Sequence, residues 1–450
     1  MKEAINRRNF IKGGIFTGLP AVFGEQEAGN LLTVREPARK IPVVRETDVI
    51  VCGGGPAGFA AAIAAARSGA KTTLIELYGC LGGVWTTGLL SNIIDSGGKP
   101  GIMKELTDRL NLTDAQYAAD KYDAEYMKWT LDQMGQEADV HIRLHTRVTS
   151  AIKTGKNRIG YITTEGFSGR EAWKAKVFID ATGNGDLAAL AGCGFDVGEP
   201  GTNRVQPMSL MVILSGVEEQ DVVKAGFIKP RSISSAEEKE RLHKEILTVG
   251  IDASYSIPTL IAIRPGMLAL MTNHQYGVSA YNSEDITKAT LEAREEVNRI
   301  IEALRRKGGI WRNVRIVSTA AQIGIREGRR IHGLYTITKD DMIKGAKFGD
   351  SVCLVKYMVD IHSLSKTEGG SWHDGGIKMK PYEIPVRSLI SKDVDNVMMA
   401  GRCISGDFYA HASYRVTGNA VPMGEAAGRV AAKAALSNKL PKEIDWSPLK

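Results

Sequence analysis

Residues 49–76 read VIVCGGGPAGFAAAIAAARSGAKTTLIE, and this stretch constrains the fold more than any other. A short apolar run meets glycines spaced G-x-G-x-x-G, at Gly53, Gly55 and Gly58; an Ala-rich segment and a second apolar run ending in Glu76 follow. The pattern predicts a strand over 46–52, a helix over 57–68 and a strand over 71–76. Each position has a physical use in holding a dinucleotide. Gly53 permits the tight turn, Gly55 lets backbone N–H groups approach a pyrophosphate, and Gly58 allows the helix to lie close to the strand. Pro56 and Ala57 start the helix, whose N-terminus offers partial positive charge to phosphates. Glu76 is placed to accept hydrogen bonds from an adenosine ribose, and its charge opposes the extra phosphate of NADP.

The remaining composition mainly excludes. With 450 residues, 43% hydrophobic and 24% charged, the chain is long enough for two or three domains. Its net charge of +7 is scattered, with no basic stripe interleaved with aromatics, which argues against nucleic acid. Cys52, Cys80, Cys193, Cys353 and Cys403 lie far apart without a C-x-x-C, so neither a zinc site nor a disulfide framework is expected. No metal is expected, because the histidines do not occur at i, i+4 with a carboxylate, and no G-x-S-x-G elbow marks a hydrolase. No apolar run reaches the roughly 18 residues of a membrane span. The N-terminus, with Arg7-Arg8-Asn9-Phe10-Ile11-Lys12 before a mildly apolar stretch, looks like a twin-arginine export signal over 1–29. That implies a periplasmic or extracytoplasmic protein, exported folded with its cofactor already loaded.

Residues 30–45 read as a linker. The nucleotide domain is expected over 46–200 and again over 386–436, interrupted by a substrate or cap domain over 201–385, with a tail over 437–450. The fold class is α/β: a doubly wound Rossmann-like domain with an inserted α+β domain. Helical periodicity covers 100–137. Strands are expected over 141–153, 158–165 and 174–183, a long amphipathic helix over 284–307, and a late strand near 394–400 before an Ala-rich helix at 423–436.

The fingerprint alone does not separate NAD from FAD, but three later segments do. Tyr78-Gly79-Cys80-Leu81-Gly82-Gly83 and Thr86-Thr87-Gly88 follow the second strand, where an NAD domain would enter its next helix. Asp180-Ala181-Thr182-Gly183 closes a strand with small residues, and Met399-Ala400-Gly401-Arg402 ends another near the C-terminus. With GGGPAG at 53–58, IGIREGRRIHGLYTITKDD at 323–341, YEIPVRSLI at 382–390 and RVTGNAVPMGEAAG at 415–428, the chain resembles the bacterial FAD-dependent oxidoreductases of the two-dinucleotide-binding-domain, glutathione-reductase-like superfamily. More remotely it is similar to fumarate reductase and succinate dehydrogenase flavoproteins. The resemblance covers roughly residues 46–435. It implies that Gly53, Gly55, Gly58 and Glu76 hold the ADP half and that Val148 contacts adenine through its backbone. It places Ala181, Thr182 and Gly183 on the adenine side. Gly82, Gly83 and Thr87 would line the ribitol and ring edge, and Gly401, Gly418 and Asn419 the pyrimidine. No His lies in 81–92, so the FAD is expected to be non-covalent.

Flavin chemistry needs a proton donor or acceptor and a cation that orients the substrate. Arg326 in GIRE is a candidate for binding a carboxylate. His362, two residues after Asp360, is a candidate base, and His373 sits in a Gly-rich loop. His411 and Arg415 fall between the late glycine strand and the last helix, and Asn273-His274 is a weaker candidate. The expected activity is hydride transfer between bound FAD and a small hydroxylated or carboxylated molecule, with an unidentified electron acceptor or donor as the second partner. An NAD-dependent dehydrogenase and a flavin-binding electron carrier are the alternatives.

Overall fold

The carboxyl ends of five parallel strands lie side by side, and this alignment sets the architecture. In the computed structural model, which describes residues 33–112, 116–118 and 120–447, β1 (Val43–Cys52) pairs with β2 (Thr72–Ile75), bringing Cys52 beside Ile75. The expected signal over 1–29 lies outside the described residues. Residues 33–40 carry an exposed ion pair between Arg39 and Glu36. β2 pairs in parallel with β3 (His141–Arg143). A meander of β4 (Thr146–Gly155), β5 (Arg158–Gly166) and β6 (Gly169–Asp180) then returns to β1, with Cys52 beside Asp180. The sheet order is β3-β2-β1-β6-β5-β4. It is a parallel Rossmann-like core with an antiparallel wing, and the fold is α/β.

Several boundaries differ from the sequence reading for physical reasons. β1 starts at Val43, inside the expected linker, because backbone pairing to β6 extends it although residues 43–46 are exposed. The 141–153 segment is two strands, broken where His145 adopts φ +53°. The 100–137 segment is helix α2 (Ile102–Leu112) and helix α3 (Ala124–Glu137), with two short paired strands between them.

A second sheet is antiparallel. It is built from β7 (Val212–Ser215), β8 (Thr259–Arg264), β9 (Met267–Met271) and β10 (Arg315–Thr319), in the order β8-β9-β7-β10. The long helix α4 (Ser283–Lys307) buries Ala289, Ala293, Val297, Ile300, Ile301 and Leu304. These residues recur at three- and four-residue spacing, which makes one apolar stripe.

The chain then comes back to the first sheet. β11 (Val397–Met399) pairs in parallel with β6, setting Met399 beside Asp180. A short helix α5 (Phe408–Tyr414) leads into α6 (Thr417–Ser437). α6 packs on α1 (Pro56–Arg67) at backbone distance. A methyl group at Gly424 would fall 2.0 Å from the carbonyl oxygen of Ala57, and one at Gly428 2.2 Å from that of Ala61. The Ala-rich composition of both helices is therefore a packing requirement, since side chains of normal size would hold the two apart.

Candidate active site

The strand ends feed directly into the glycine turns. The N–H of Gly53 donates to Ile75 O, that of Ala181 to Cys52 O and that of Ala400 to Asp180 O. Gly53 takes φ +97°, and a methyl group at Gly58 would lie 1.7 Å from Gly53 O, so no other residue fits there. Helix α1 begins at Pro56 with no side-chain cap and no acidic residue in its first turn, which leaves its N-terminal charge uncompensated. Glu76 is buried, and its carboxylate accepts from the N–H of Gly54 at 2.5 Å and of Tyr78 at 2.8 Å. Burial raises its pKa against the pull of those two bonds. Glu76 thus fixes the turn, with oxygen lone pairs left for a further donor. Val148, half-buried in β4, stands opposite Thr164.

Gly82 and Gly83, at φ +104° and +51°, bend the next loop back against Gly55. The Thr87 hydroxyl lies 2.8 Å from both Gly83 O and Gln322 Oε1, and Thr87 O accepts the Gln322 N–H, so this loop is tied to the chain after β10. Asp180 is fully buried and accepts from the Thr182 hydroxyl and from the N–H groups of Thr182 and Ala188. Burial pushes its pKa up to about 6. Gly183, at φ +79°, leaves room for the Arg402 guanidinium, which donates to Asn184 Oδ1 at 2.7 Å. Gly401, at φ +86°, lies against Ala57.

The residues present fit a bound FAD. α6 starts with an uncapped N-terminus, and beside it the Thr417 hydroxyl and Asn419 Nδ2 are buried without a partner among the described residues. Gly418 follows the path of Ile94 and Asp95 so closely that a methyl group there would meet Asp95 O at 2.4 Å. Two helix N-termini and a set of glycine turns converge where Ala57 meets Gly401 and Gly424, and such an arrangement suits an anionic, hydrogen-bonding ligand.

Next to the start of α6 lies a cluster of a different kind. Arg415 ends α5, and one of its nitrogens donates to Asp360 O at 2.8 Å, Asp360 Oδ2 at 3.2 Å and Gln206 Oε1 at 3.2 Å. Asp360 Oδ2 is 3.5 Å from His362 Nε2. The His362 N–H donates to Gln206 Oε1, and His362 Nδ1 is 3.1 Å from His274 Nε2. Tyr255 packs on the His274 ring at 4.1 Å between centroids. Arg326, half-buried, donates to Pro207 O at 2.7 Å and the Ser209 hydroxyl at 2.8 Å, and it forms no ion pair among the described residues. Loss of water and the nearby Arg415 push its pKa down to about 10.

Burial works to raise the pKa of Asp360. His362, Arg415 and Arg326 outweigh it and hold the group below the usual carboxylate range. Burial and Arg326 lower His362 to about 4 against the pull of Asp360, so its imidazole is neutral at pH 7. Glu327, beside Arg326, is committed elsewhere: it pairs with Arg330 at 2.6 Å and accepts the Gln206 N–H.

Of the candidates read from sequence, Arg326, His362 and Arg415 meet in this cluster, joined by Asp360 and His274. His411 is fully buried on α5, edge-on to Tyr414 at 5.6 Å, with neither ring nitrogen partnered among the described residues. Burial, with Arg330, Arg415 and Arg402 around it, keeps it neutral. His373 is exposed, and its Nδ1 accepts the Gly375 N–H; its short strand pairs with Ile361–His362, but among the described residues no hydrogen bond or ion pair joins its side chain to the cluster. Sequence alone does not single out Gln206, Tyr255, Tyr276 or Gln322. The H-x-Y spacing of His274 and Tyr276 is the one signal among them, since alternate residues of an extended segment share a face.

Residues 48–450 match the family described as FAD dependent oxidoreductase, and the chain belongs to that family. It is an enzyme of that class, and FAD is its cofactor. Curated relatives match over short stretches. The chain is 43% identical over 70 residues to the acrylate reductase flavoprotein subunit of Shewanella woodyi, which is 16% of this chain and 13% of that one. It is 63% identical over 38 residues to leghemoglobin reductase of Glycine max, 8% of this chain and 7% of that one. Among solved structures, a geranylgeranyl bacteriochlorophyll reductase-like protein of Thermoplasma acidophilum is 14% identical, with a TM-score of 0.44 and coverage of 90% of this chain and 81% of that one. The flavin-dependent brominase Bmp2 is also 14% identical, with a TM-score of 0.46, coverage being 89% and 81%.

Proposed function

We propose that the enzyme moves a hydride between bound FAD and a small organic substrate bearing a carboxylate, carbonyl or hydroxyl group. The imbalance of donors over acceptors in the Arg326–Arg415 cluster carries this reading. Among the described residues Arg326 has only neutral partners, while Arg415 Nε and Gln206 Nε2 are buried with none. Asp360 is the carboxylate that faces these cations. Buried donors left unpaired are costly, and an acceptor-rich substrate would satisfy them. In this reading Arg326 and Arg415 orient the substrate oxygen atoms, and His362, backed by Asp360, takes or gives the proton. FAD, when bound, accepts or donates the hydride.

Gly53, Gly55, Gly58, Glu76, Gly82, Gly83, Thr87, Val148, Ala181, Thr182, Gly183, Gly401, Gly418 and Asn419 would hold the cofactor without a covalent bond. The glutathione-reductase-like superfamily resemblance, the twin-arginine export and the unidentified electron partner belong to the same proposal. No described helix is long and apolar enough to cross a membrane.

The test is anaerobic mixing of the yellow holoprotein with hydroxy acids, keto acids, sugars, polyols and amines, following flavin absorbance. Bleaching by a hydroxylated or carboxylated compound, with KM raised about 100-fold by Arg326→Met, is expected. Rapid reduction by NADPH with none by any organic substrate would overturn it.

A further inference from the structure

The hydrogen bonds behind His362 have a direction that can be read atom by atom. They run from His362 Nδ1 to His274 Nε2 at 3.1 Å, from His274 Nδ1 to the Tyr276 hydroxyl at 3.1 Å, and from that hydroxyl to Ser254 O at 3.0 Å. A backbone carbonyl only accepts, so the single proton of Tyr276 points at Ser254 O. The Tyr276 oxygen must then accept from His274, which places the His274 proton on Nδ1. A neutral His274 has one proton, so its Nε2 is bare and accepts from His362 Nδ1–H. The neutral His362 is left with Nε2 as its one free site, facing Asp360 Oδ2 at 3.5 Å.

Ser254 is itself held. Its N–H and its hydroxyl donate to the two oxygens of Glu296, at 2.6 and 2.7 Å. The Tyr255 ring packs on both imidazoles, with centroids 4.1 Å from His274 and 5.8 Å from His362.

We propose that Ser254, Tyr276 and His274 form a tautomer lock that keeps His362 in its Nδ1–H form and so reserves Nε2 for proton exchange. Because the chain ends on a carbonyl oxygen, it orients and does not conduct. The proton taken up by Nε2 stays between His362 and Asp360 and is not relayed through Tyr276. His274 and Tyr276 are positioning residues, since they act through His362. The charged and titratable groups around His362 include Asp360, Arg326, Arg415, His274 and Tyr255; burial, with Arg326 and His362 beside it, keeps His274 neutral, and the lock keeps its direction. The lock exists in the resting protein, while its use in catalysis rests on the function proposed above.

The experiment uses the FAD-loaded full chain labelled with 15N-histidine, and reads ring tautomers by long-range 1H–15N correlation at neutral pH without substrate. His362→Gln and His274→Gln assign the signals. Both residues are expected in the Nδ1–H form, the less common one for neutral imidazole. Tyr276→Phe removes the acceptor, and more than half of His362 should then move to the Nε2–H form. Once a reducing substrate is known, kcat should fall about 100-fold with KM unchanged. A wild-type His362 in the Nε2–H form overturns the lock without need of any variant. So does a folded, yellow Tyr276→Phe protein whose tautomers match wild type. Correct tautomers with unchanged kcat in Tyr276→Phe would preserve the lock and count against His362 as the proton carrier, so the two proposals fail separately.

Discussion

The two halves of the candidate site are built from opposite materials. Where the cofactor belongs, the structure works by leaving atoms out: Gly53, Gly58, Gly418 and Gly424 bring backbone to within contact of backbone, and much of the polar work falls to N–H groups. Around Asp360 long side chains do everything, and each is held by two or more partners. A backbone-built site tolerates no added carbon. A side-chain-built site tolerates changes of size better than the loss of one charge.

The largest effect expected from this contrast is at Gly58. Gly58→Ala forces a methyl group onto Gly53 O, so the turn must open, and FAD retention in the purified protein should fall at least about 100-fold, in line with overpacking costs of up to about 3 kcal/mol. A yellow Gly58→Ala protein of wild-type affinity would break the comparison at its stronger end. Asp360→Asn keeps the volume and removes the charge between Arg415 and His362. Urea unfolding should show a loss of about 3 kcal/mol, because the neighbouring cations lose their counterion. An unchanged midpoint would mean that water already screens the cluster.

The next effect separates the halves by the sign of a pH slope. The His362 pKa is depressed in the fold, from 6.5 to about 4, so its contribution to stability is fully present above about 6.5 and is lost as pH falls through about 4. Asp180 works the other way. Raised from 3.8 to about 6, its contribution is present below about 3.8 and lost as pH rises through about 6. His362→Gln should therefore make the stability slope between those limits less positive by up to about 1.4 kcal/mol per pH unit, while Asp180→Asn makes it more positive. Identical slopes in wild type and His362→Gln would show that His362 is charged in the fold. The smallest effect is at the exposed His373, where His373→Ala should change stability by less than about 0.5 kcal/mol and leave flavin affinity alone.

This contrast also explains what was legible in the sequence. Glycines needed for close approach leave a one-dimensional trace, because the turn, the helix start and the next strand are neighbours in the chain. Gly53, Gly55, Gly58, Glu76, Gly183 and Gly401 were accordingly visible as motifs, and so were both Ala-rich helices. The second half is assembled from residues 206, 255, 274, 326, 360 and 415, which meet only once both sheets have formed. Sequence offered Arg326, His362 and Arg415 one at a time with nothing to join them, and it ranked His411 beside them. Gln206 left no local signal at all, although its side-chain oxygen accepts from both Arg415 and His362.

The seating of α6 on α1, carbonyl against glycine, has a consequence for how the protein matures. The helix that opens the nucleotide fingerprint cannot reach its final partner until residues 417–437 have left the ribosome, and the strand at 397–399 closes its sheet just as late. An incomplete nascent chain therefore offers the fingerprint but not the enclosure around it, so capture of the flavin follows synthesis of the whole domain and cannot accompany it.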